Sequence, residues 1–133
     1  MSEQKKENVL VVSEVGPGPF VQSVTVRGHK ISADEPITVP GGTDQGLSPD
    51  DFLLSSLGSC TSITLRMYAR LKKLPLEKIT ISLTRNASGE IDRKIELIGN
   101  LSDEQRNRLL EISNKCPIHK ALTNSIKINS KLV

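Results

Sequence analysis

The chain has 133 residues, which is enough for one hydrophobic core and too short for two independently folding domains. Its two cysteines are too few for a disulfide framework, a cysteine-rich zinc module or an iron–sulfur site with four thiolate ligands. The 18 basic and 15 acidic residues are scattered and leave a net charge of +3, and only 2% of residues are aromatic, so no nucleic-acid partner is expected.

The N-terminal third predicts a small antiparallel sheet. Valine-rich residues 8–15 precede the breaker cluster GPGP, and Gly28 indicates a tight turn. The predicted strands are residues 8–15, 20–26, 29–33 and 37–39. The opening sequence MSEQKKENVL lacks the apolar stretch of a signal peptide, so we expect a cytosolic protein whose cysteines are free, catalytic or redox-cycling rather than permanently paired.

A long helix is predicted over residues 49–74. Ser48 is a typical N-cap, a proline follows at the first helical position, and Asp50 and Asp51 oppose the positive end of the helix dipole, while Pro75 ends the helix. The predicted apolar stripe advances by steps of four and three through Leu53, Leu57, Cys60, Thr64, Met67, Leu71 and Leu74.

Residues 52–65 of this helix carry no charge on any side. Such a helix is buried on most of its circumference, and its small residues permit close approach of another backbone. We therefore expect it to be the central helix of the fold and to pack across a homodimer interface. The run is too short and too rich in serine and threonine to cross a membrane.

The remaining sequence predicts a hairpin, two helices and a closing strand. Period-two alternation gives strands at 79–84 and 91–97, with Arg93 on the apolar face of the second. The capping box SDEQ opens a second helix, Pro117 opens a short third helix to about residue 123, and residues 126–132 alternate as a strand. The sequence thus predicts one α+β domain over residues 1–133.

The two cysteines occupy different predicted settings. Cys60 lies on the helix stripe, where a small buried hydrophobe is the simplest interpretation, yet Gly58 costs about 1 kcal/mol in a helix interior and indicates a close neighbour. Cys116 lies at a helix N-terminus, where amides and the dipole favour a thiolate, although a partly buried cap residue is the alternative. The two could form one functional thiol pair whose sulfurs meet only in the folded protein.

Three segments carry a family resemblance: SPDDFLL at 48–54, LGSCTSITLRMYA at 57–69 and CPIHKAL at 116–122. Together they resemble the motifs of the OsmC/Ohr family of osmotically inducible and organic hydroperoxide resistance proteins. The upstream segments GH at 28–29, ADEP at 33–36 and GG at 41–42 are similar to one OsmC-like subgroup. The resemblance covers nearly the whole chain.

The resemblance implies an activity, a fold and an assembly. The activity is a thiol-dependent peroxidase that reduces organic hydroperoxides, with Cys60 as the peroxidatic thiolate and Cys116 as the resolving thiol. The fold is a set of antiparallel sheets around a long central helix, in an intertwined homodimer with active sites at the subunit interface. A dithiol reductant, either a lipoylated protein or a thioredoxin-like partner, would reopen the disulfide, and no metal or nucleotide cofactor is needed.

The family also uses a carboxylate and an arginine to hold the thiolate. Asp50 matches the carboxylate by position, although the peroxidase branch has Glu there. Ten residues of continuous helix span roughly 15 Å, so either the helix breaks near Gly58 or Asp50 serves the partner's site; ordinary helix N-terminal charge is the alternative. The family's arginine precedes the central helix in the sequence, and Arg27 is the only arginine of this sequence in that position. The alternative interpretation of Arg27 is a solvated cation at the end of a strand.

A second class of function stays open at this point. The same fold could be a non-catalytic domain that binds a small apolar or thiol ligand, or that senses redox state. A zinc site built from the cysteines with His29 and His119 is imaginable, but the spacings are not those of zinc ligands, and His119 is expected to face outward on its short helix.

Overall fold

The computed structural model describes residues 8–133 of the chain. It contains two compact units, one extending to Leu53 and the other covering residues 54–133. Helix α1, Pro49–Leu71, begins in the first unit and continues into the second. The organisation as one domain over residues 1–133 stays a prediction. No helix within residues 8–133 is long and apolar enough to cross a membrane.

The first unit contains a three-stranded antiparallel sheet in the order β1-β2-β3. Its strands are β1, Val11–Glu14, β2, Gln22–Val26, and β3, His29–Ala33. Strands β2 and β3 are joined by Arg27 and Gly28, both with positive φ (49° and 81°), which is the backbone that a tight two-residue hairpin requires. The sequence prediction of a tight turn at Gly28 is confirmed.

A loop after β3 replaces the strand predicted at residues 37–39. The Val39 N–H donates to the Pro36 carbonyl at 2.9 Å, and the Gly42 N–H donates to the Val39 carbonyl at 2.8 Å. These local bonds fold the backbone into successive turns, so its polar groups are not presented to a neighbouring strand, and the prediction of a strand here is wrong.

Asp34 organises that loop through its carboxylate, although the residue is only 2% exposed. It accepts the backbone N–H groups of Glu35 at 2.7 Å, Thr43 at 3.2 Å and Gln45 at 3.1 Å, together with the Thr43 hydroxyl at 2.5 Å. The Thr43 hydroxyl is the main cause of a lowered pKa for Asp34, with the backbone donors adding to it and burial opposing it.

The second unit packs helices on an antiparallel hairpin. The hairpin is β4, Leu76–Arg85, and β5, Ile91–Gly99, followed by α2, Asp103–Ser113, and α3, Pro117–Thr123. The core consists of aliphatic side chains contributed by the helices, β4 and the β5–α2 connection: Leu65, Ala69, Leu76, Leu101, Leu109 and Ile112. Within residues 79–84 and 91–97, alternate residues are half-buried on one face and exposed on the other, as period-two alternation predicts, and a β-bulge between Leu76 and Lys78 interrupts the alternation at the start of β4.

Helix α1 begins and ends through local caps. The Ser48 N–H donates to the Asp51 carboxylate at 2.9 Å, while the Asp51 N–H donates to the Ser48 hydroxyl at 3.2 Å. At the other end, the Leu74 N–H donates to the Ala69 carbonyl at 2.8 Å across Lys73, whose φ is 54°. This Schellman closure ends the helix at Leu71, three residues before the predicted end.

The buried face of α1 differs from the predicted stripe. Its buried residues are Leu57, Gly58, Thr61, Leu65 and Ala69. Met67 and Leu71, both predicted on the buried stripe, are 67% and 77% exposed in the single chain. The close neighbour that Gly58 indicated is Leu83, because a Cβ at Gly58 would lie 2.8 Å from Leu83 Cδ1.

The C-terminal helices follow the sequence prediction, whereas the closing strand does not. In the capping box of α2, the Gln105 N–H donates to the Ser102 hydroxyl at 3.1 Å and the Ser102 N–H donates to Gln105 Oε1 at 2.9 Å. Residues 125–133 have no regular secondary structure in the single chain. Ile126 and Ile128 are 65% and 83% exposed, so the prediction of a strand in this segment is wrong for the chain alone.

Candidate active site

Cys116 is fully buried at the N-cap of α3. Its Sγ accepts the backbone N–H of His119 at 3.2 Å, in the position that a capping side chain takes at a helix N-terminus. Pro117 follows as the first helical residue, as the sequence predicted. The local sequence therefore fixes one side of the Cys116 sulfur through the helix that it caps.

Thr61 of α1 lies on another side of that sulfur. Thr61 is fully buried, and its Oγ1 is 4.0 Å from Cys116 Sγ. Since Thr61 directly follows Cys60, the Cys116 sulfur lies against the helical turn that carries the second cysteine. Cys60 is half-buried and Cys116 is buried, and both are free thiols. Helix α1 and the head of α3 thus bring the two cysteine-bearing segments together.

Arg93 is the basic side chain of this site. It lies on the core-facing side of β5, opposite Leu83 in the β4–β5 ladder. Its Nη1 donates to Thr61 Oγ1 at 3.0 Å, while Nη2 donates to Asn114 Oδ1 at 3.0 Å and to Ser113 Oγ at 3.4 Å. One guanidinium therefore connects β5, α1 and the segment between α2 and α3.

A cavity of about 400 Å³ adjoins these residues. Its walls are mostly apolar, with charged or titratable side chains at three positions. The lining comprises Leu57, Gly89, Glu90, Ile91, Arg93, His119, Leu122 and Thr123. A space of this size with apolar walls and a few polar groups is typical of a small-molecule site.

His119 faces this cavity rather than the solvent. It is half-buried and lines the cavity beside Arg93, so the prediction that it faces outward is wrong. Burial, and after it the positive charge of Arg93, lower the pKa of His119 below its usual 6.5. The imidazole is therefore neutral near pH 7 and can accept or donate a proton within the cavity.

The structure excludes one of the two ways in which Asp50 could serve a thiolate, namely a break in the helix near Gly58. Asp50 is an exposed residue of the first turn of α1, and the helix continues unbroken through Gly58 to Leu71. The predicted break near Gly58 is therefore not found. A role for Asp50 in a partner's site stays a prediction. The neighbouring Asp51 is the residue that accepts the Ser48 N–H at the helix cap.

Arg27 forms the β2–β3 hairpin turn and is exposed. Its role in holding a thiolate stays a prediction. The arginine that lies beside a cysteine-bearing segment is Arg93, which the sequence analysis did not select. The signal that could have found it was its position on the otherwise apolar face of β5, because a half-buried guanidinium there needs specific acceptors.

Metal ligation was the remaining possibility for the cysteines and histidines. Within residues 8–133, no group of three or more His, Cys, Asp or Glu side chains is arranged to hold a metal ion. The site that the described residues form is a thiol site with a guanidinium, a hydroxyl and an imidazole.

Comparisons with known proteins identify a matching family and solved structures with a similar fold. The model of the OsmC-like protein family matches residues 42–131. A Psychrobacter arcticus structure, named for osmotic stress induction and detoxification response, is 21% identical with a TM-score of 0.75, covering 89% of this chain and 90% of that one. An OsmC-like protein of Mycoplasma pneumoniae is 20% identical with a TM-score of 0.71, covering 90% and 89%.

A third structure is named for organic hydroperoxide resistance. The organic hydroperoxide resistance protein OsmC of Legionella pneumophila is 18% identical with a TM-score of 0.60, covering 90% of this chain and 91% of that one. A comparison with curated protein sequences gave no significant match. These structural neighbours share the fold, an α+β arrangement of antiparallel sheets with a long helix. Because the family model spans most of its length, the chain belongs to the OsmC-like protein family.

Proposed function

We propose that this protein is a thiol-dependent peroxidase that reduces organic hydroperoxides to alcohols. The observation that carries the proposal is the 4.0 Å separation between Cys116 Sγ and the Oγ1 of Thr61, the residue after Cys60. Both thiols are free, and the segments that carry them meet at Thr61, next to a cavity lined by Arg93 and His119; a peroxidatic and resolving pair requires two free thiols whose segments can approach each other. Membership of the OsmC-like family, some of whose structural neighbours are named for hydroperoxide resistance, supports the same activity.

The proposed reaction has two steps in the protein. The Cys60 thiolate attacks one peroxide oxygen and the O–O bond breaks, which oxidises the sulfur to a sulfenic acid and releases the alkoxide. The alkoxide takes up the proton that Cys60 released and leaves as the alcohol. The Cys116 sulfur then attacks the Cys60 sulfur; the S–S bond forms, the S–O bond breaks, and the hydroxyl leaves as water with the Cys116 proton.

A dithiol closes the cycle by reducing the Cys60–Cys116 disulfide. We propose a lipoylated protein or a thioredoxin-like protein as the reductant, because a dithiol can release the mixed disulfide intramolecularly. This cycle needs a compartment in which dithiols are kept reduced, so we propose a cytoplasmic protein. No metal or nucleotide takes part in any step.

The apolar walls of the cavity support an organic substrate. Leu57, Ile91 and Leu122 line it, and these side chains can contact an alkyl or aryl group while the peroxide lies near the polar residues. Hydrogen peroxide has no group to occupy that apolar space. We therefore expect catalytic efficiency to rise with the size of the alkyl group until it fills the cavity.

We further propose that the protein acts as a homodimer. Ile63, Met67 and Leu71 follow one another at four-residue spacing on α1, and all three are exposed in the single chain. Apolar side chains in such a row on a helix are typical of a surface that is covered by a second copy. Asp50 and Arg27 would then be available to the partner's site.

Steady-state assays with cumene hydroperoxide and a dithiol reductant test the activity. Wild type is expected to consume the peroxide, and Cys60→Ser to fall to the rate of the reductant alone. Cys116→Ser is expected to complete one turnover and then to stall as the sulfenic acid. Equal, slow consumption by wild type and Cys60→Ser would reject the peroxidase and favour a non-catalytic ligand-binding or redox-sensing protein.

A further inference from the structure

We propose that Arg93 is a positioning residue that holds the resolving thiol of Cys116 against the turn of α1 that carries Cys60. The proposal rests on the peroxidase function proposed above and concerns its second step, the closure of the disulfide. It assigns to a residue of β5 a role distinct from the thiolate-holding role expected of Arg27 and Asp50.

The hydrogen bonds of Arg93 fix the Cys116 segment from two directions. Nη1 donates to Thr61 on α1 at 3.0 Å, and Nη2 donates to Asn114 at 3.0 Å and to Ser113 at 3.4 Å. Ser113 and Asn114 lie three and two residues before Cys116. The planar guanidinium thus links two side chains of the segment leading to Cys116 to the helix that carries Cys60.

The hydrogen-bond capacity of Thr61 determines which group is the donor in its contact with Cys116. Its single hydroxyl proton is donated to the Leu57 carbonyl at 2.7 Å. The oxygen therefore presents lone pairs to its other two neighbours, accepting from Arg93 Nη1 at 3.0 Å and from the Cys116 thiol at 4.0 Å. In this arrangement Thr61 orients the Cys116 S–H, and Arg93 orients Thr61.

The second step needs such an arrangement because disulfide geometry is restrictive. A disulfide forms only when the two sulfurs approach to about 2 Å with a dihedral angle near 90°. The His119 N–H of α3 restrains only one side of the Cys116 sulfur, so the position of Cys116 relative to α1 needs a further restraint. The bonds from Arg93 supply that restraint.

The charge of Arg93 is not neutralised by a carboxylate among residues 8–133. Its three acceptors are the neutral oxygens of Thr61, Ser113 and Asn114. The charge is felt at the cavity wall, where it contributes to the lowered pKa of His119. That effect gives an independent measurement of whether the guanidinium occupies the position described here.

A single-turnover partition experiment tests the proposal. The reduced protein receives one equivalent of cumene hydroperoxide in the presence of dimedone, which traps sulfenic acids, and mass spectrometry measures the ratio of Cys60–dimedone adduct to Cys60–Cys116 disulfide. For Arg93→Met we expect this ratio to rise about tenfold, as the loss of a charge-assisted hydrogen bond implies. The ratio compares two competing reactions of the sulfenic acid, so it does not depend on how fast the peroxide forms that acid. Arg93→Lys is expected to recover part of the loss, because an ammonium cannot reach both acceptor sets.

The matched control is Arg108→Met, which removes an exposed arginine that pairs with Glu111 at 2.8 Å on the same helix and lies 6.0 Å from the centre of the Tyr68 ring, away from Thr61 and Cys116 in the hydrogen-bond pattern. It is expected to leave the partition ratio at the wild-type value. An unchanged ratio in Arg93→Met would overturn the proposal, as would an equal slowing of both steps, which would mean that Arg93 acts on Cys60. If Arg93→Met does not fold, Thr61→Val removes the acceptor of the Arg93 hydrogen bond instead, and Thr61→Ser keeps it. The ratio of adduct to disulfide is then expected to be higher in Thr61→Val than in Thr61→Ser.

A second oxidant separates this inference from the proposed function. If wild type does not react with the peroxide, the peroxidase proposal fails. Diamide, a diazene that accepts two electrons and two protons from a pair of thiols, then closes the disulfide without peroxide chemistry. Slower closure in Arg93→Met than in Arg108→Met would still support the positioning role. Equal closure rates, or no Cys60–Cys116 disulfide in wild type, would overturn it.

Discussion

Thr61 forms the contact between the two cysteine-bearing segments of the site, because it directly follows Cys60 in α1 and its Oγ1 lies 4.0 Å from Cys116 Sγ. Its hydroxyl donates to Leu57 and accepts from Arg93, which leaves one lone pair for the contact with Cys116. A valine has nearly the same shape and offers neither function. The contact between the cysteine segments therefore depends on a polar atom within a buried helix face.

Replacing Thr61 by valine is expected to lower the free energy of unfolding by about 1–3 kcal/mol, because one Arg93 N–H is left without its acceptor in a half-buried position. Urea unfolding measures the change. Thr64→Val, at a half-buried position one helical turn further along α1, is the control and is expected to change stability by less than about 0.5 kcal/mol. Equal losses in the two variants would contradict the importance of the Thr61 hydroxyl.

The titration of His119 is expected to depend on Arg93. Burial and the Arg93 charge lower the pKa of His119 below 6.5 in the folded protein, so the unfolded chain takes up this proton first and stability decreases as the pH falls below about 6.5. NMR of the imidazole protons measures the pKa directly. In Arg93→Met the pKa is expected to rise towards 6.5 and the stability loss to become smaller. No rise would mean that the guanidinium is not beside the cavity.

Features that depend on local sequence were predictable. The Ser48 N-cap, the capping box at residues 102–105 and the Pro117 helix start each rest on residues within one helical turn, and all three are found. The end of α1 was missed because the left-handed residue of its Schellman motif is Lys73, where glycine is usual. Local signals failed when the decisive residue was an unusual one for its position.

Features that depend on contacts distant in sequence were only partly predictable. The strand expected at residues 37–39 is absent because the backbone there bonds within its own turns. Arg93 was placed on the correct face of β5, but its acceptors lie 20, 21 and 32 residues away, beyond what period-two alternation can predict. The predicted settings of the two cysteines allowed a functional thiol pair, and the family resemblance supplied their roles, because no local pattern links residues 60 and 116.

Asp34 is expected to make the loop after β3 sensitive to acid. Its folded pKa is lowered, chiefly by the Thr43 hydroxyl, so its contribution to stability is present above the unfolded pKa of about 3.8 and is lost as the pH falls through the lower folded value. Thermal unfolding between pH 7 and pH 2.5 measures this effect. In Asp34→Asn the unfolding temperature is expected to fall less with acid than in wild type, because the variant has no carboxylate to protonate at this position. Asp44→Asn is the control, because Asp44 is exposed in the same loop and Asn tolerates its positive φ of 53°. If both variants follow wild type with pH, the carboxylate does not organise the loop.

The row of exposed apolar residues on α1 predicts how the proposed dimer can be dissociated. Wild type is expected to have twice the mass of one chain by light scattering at micromolar concentration. Met67→Glu places a carboxylate in the middle of the row between Ile63 and Leu71, and burying an unpaired charge between two copies costs more than an apolar contact stabilises.

We therefore expect Met67→Glu to be monomeric, and its intrinsic folding to change by less than about 0.5 kcal/mol because Met67 is 67% exposed in the single chain. Lys72→Glu adds the same group at an exposed polar position just after the helix and is expected to remain dimeric. If active sites at the subunit interface need Asp50 or Arg27 of the partner, peroxide turnover falls together with dimerisation in Met67→Glu. A monomeric variant with full turnover would show that one chain contains the complete site.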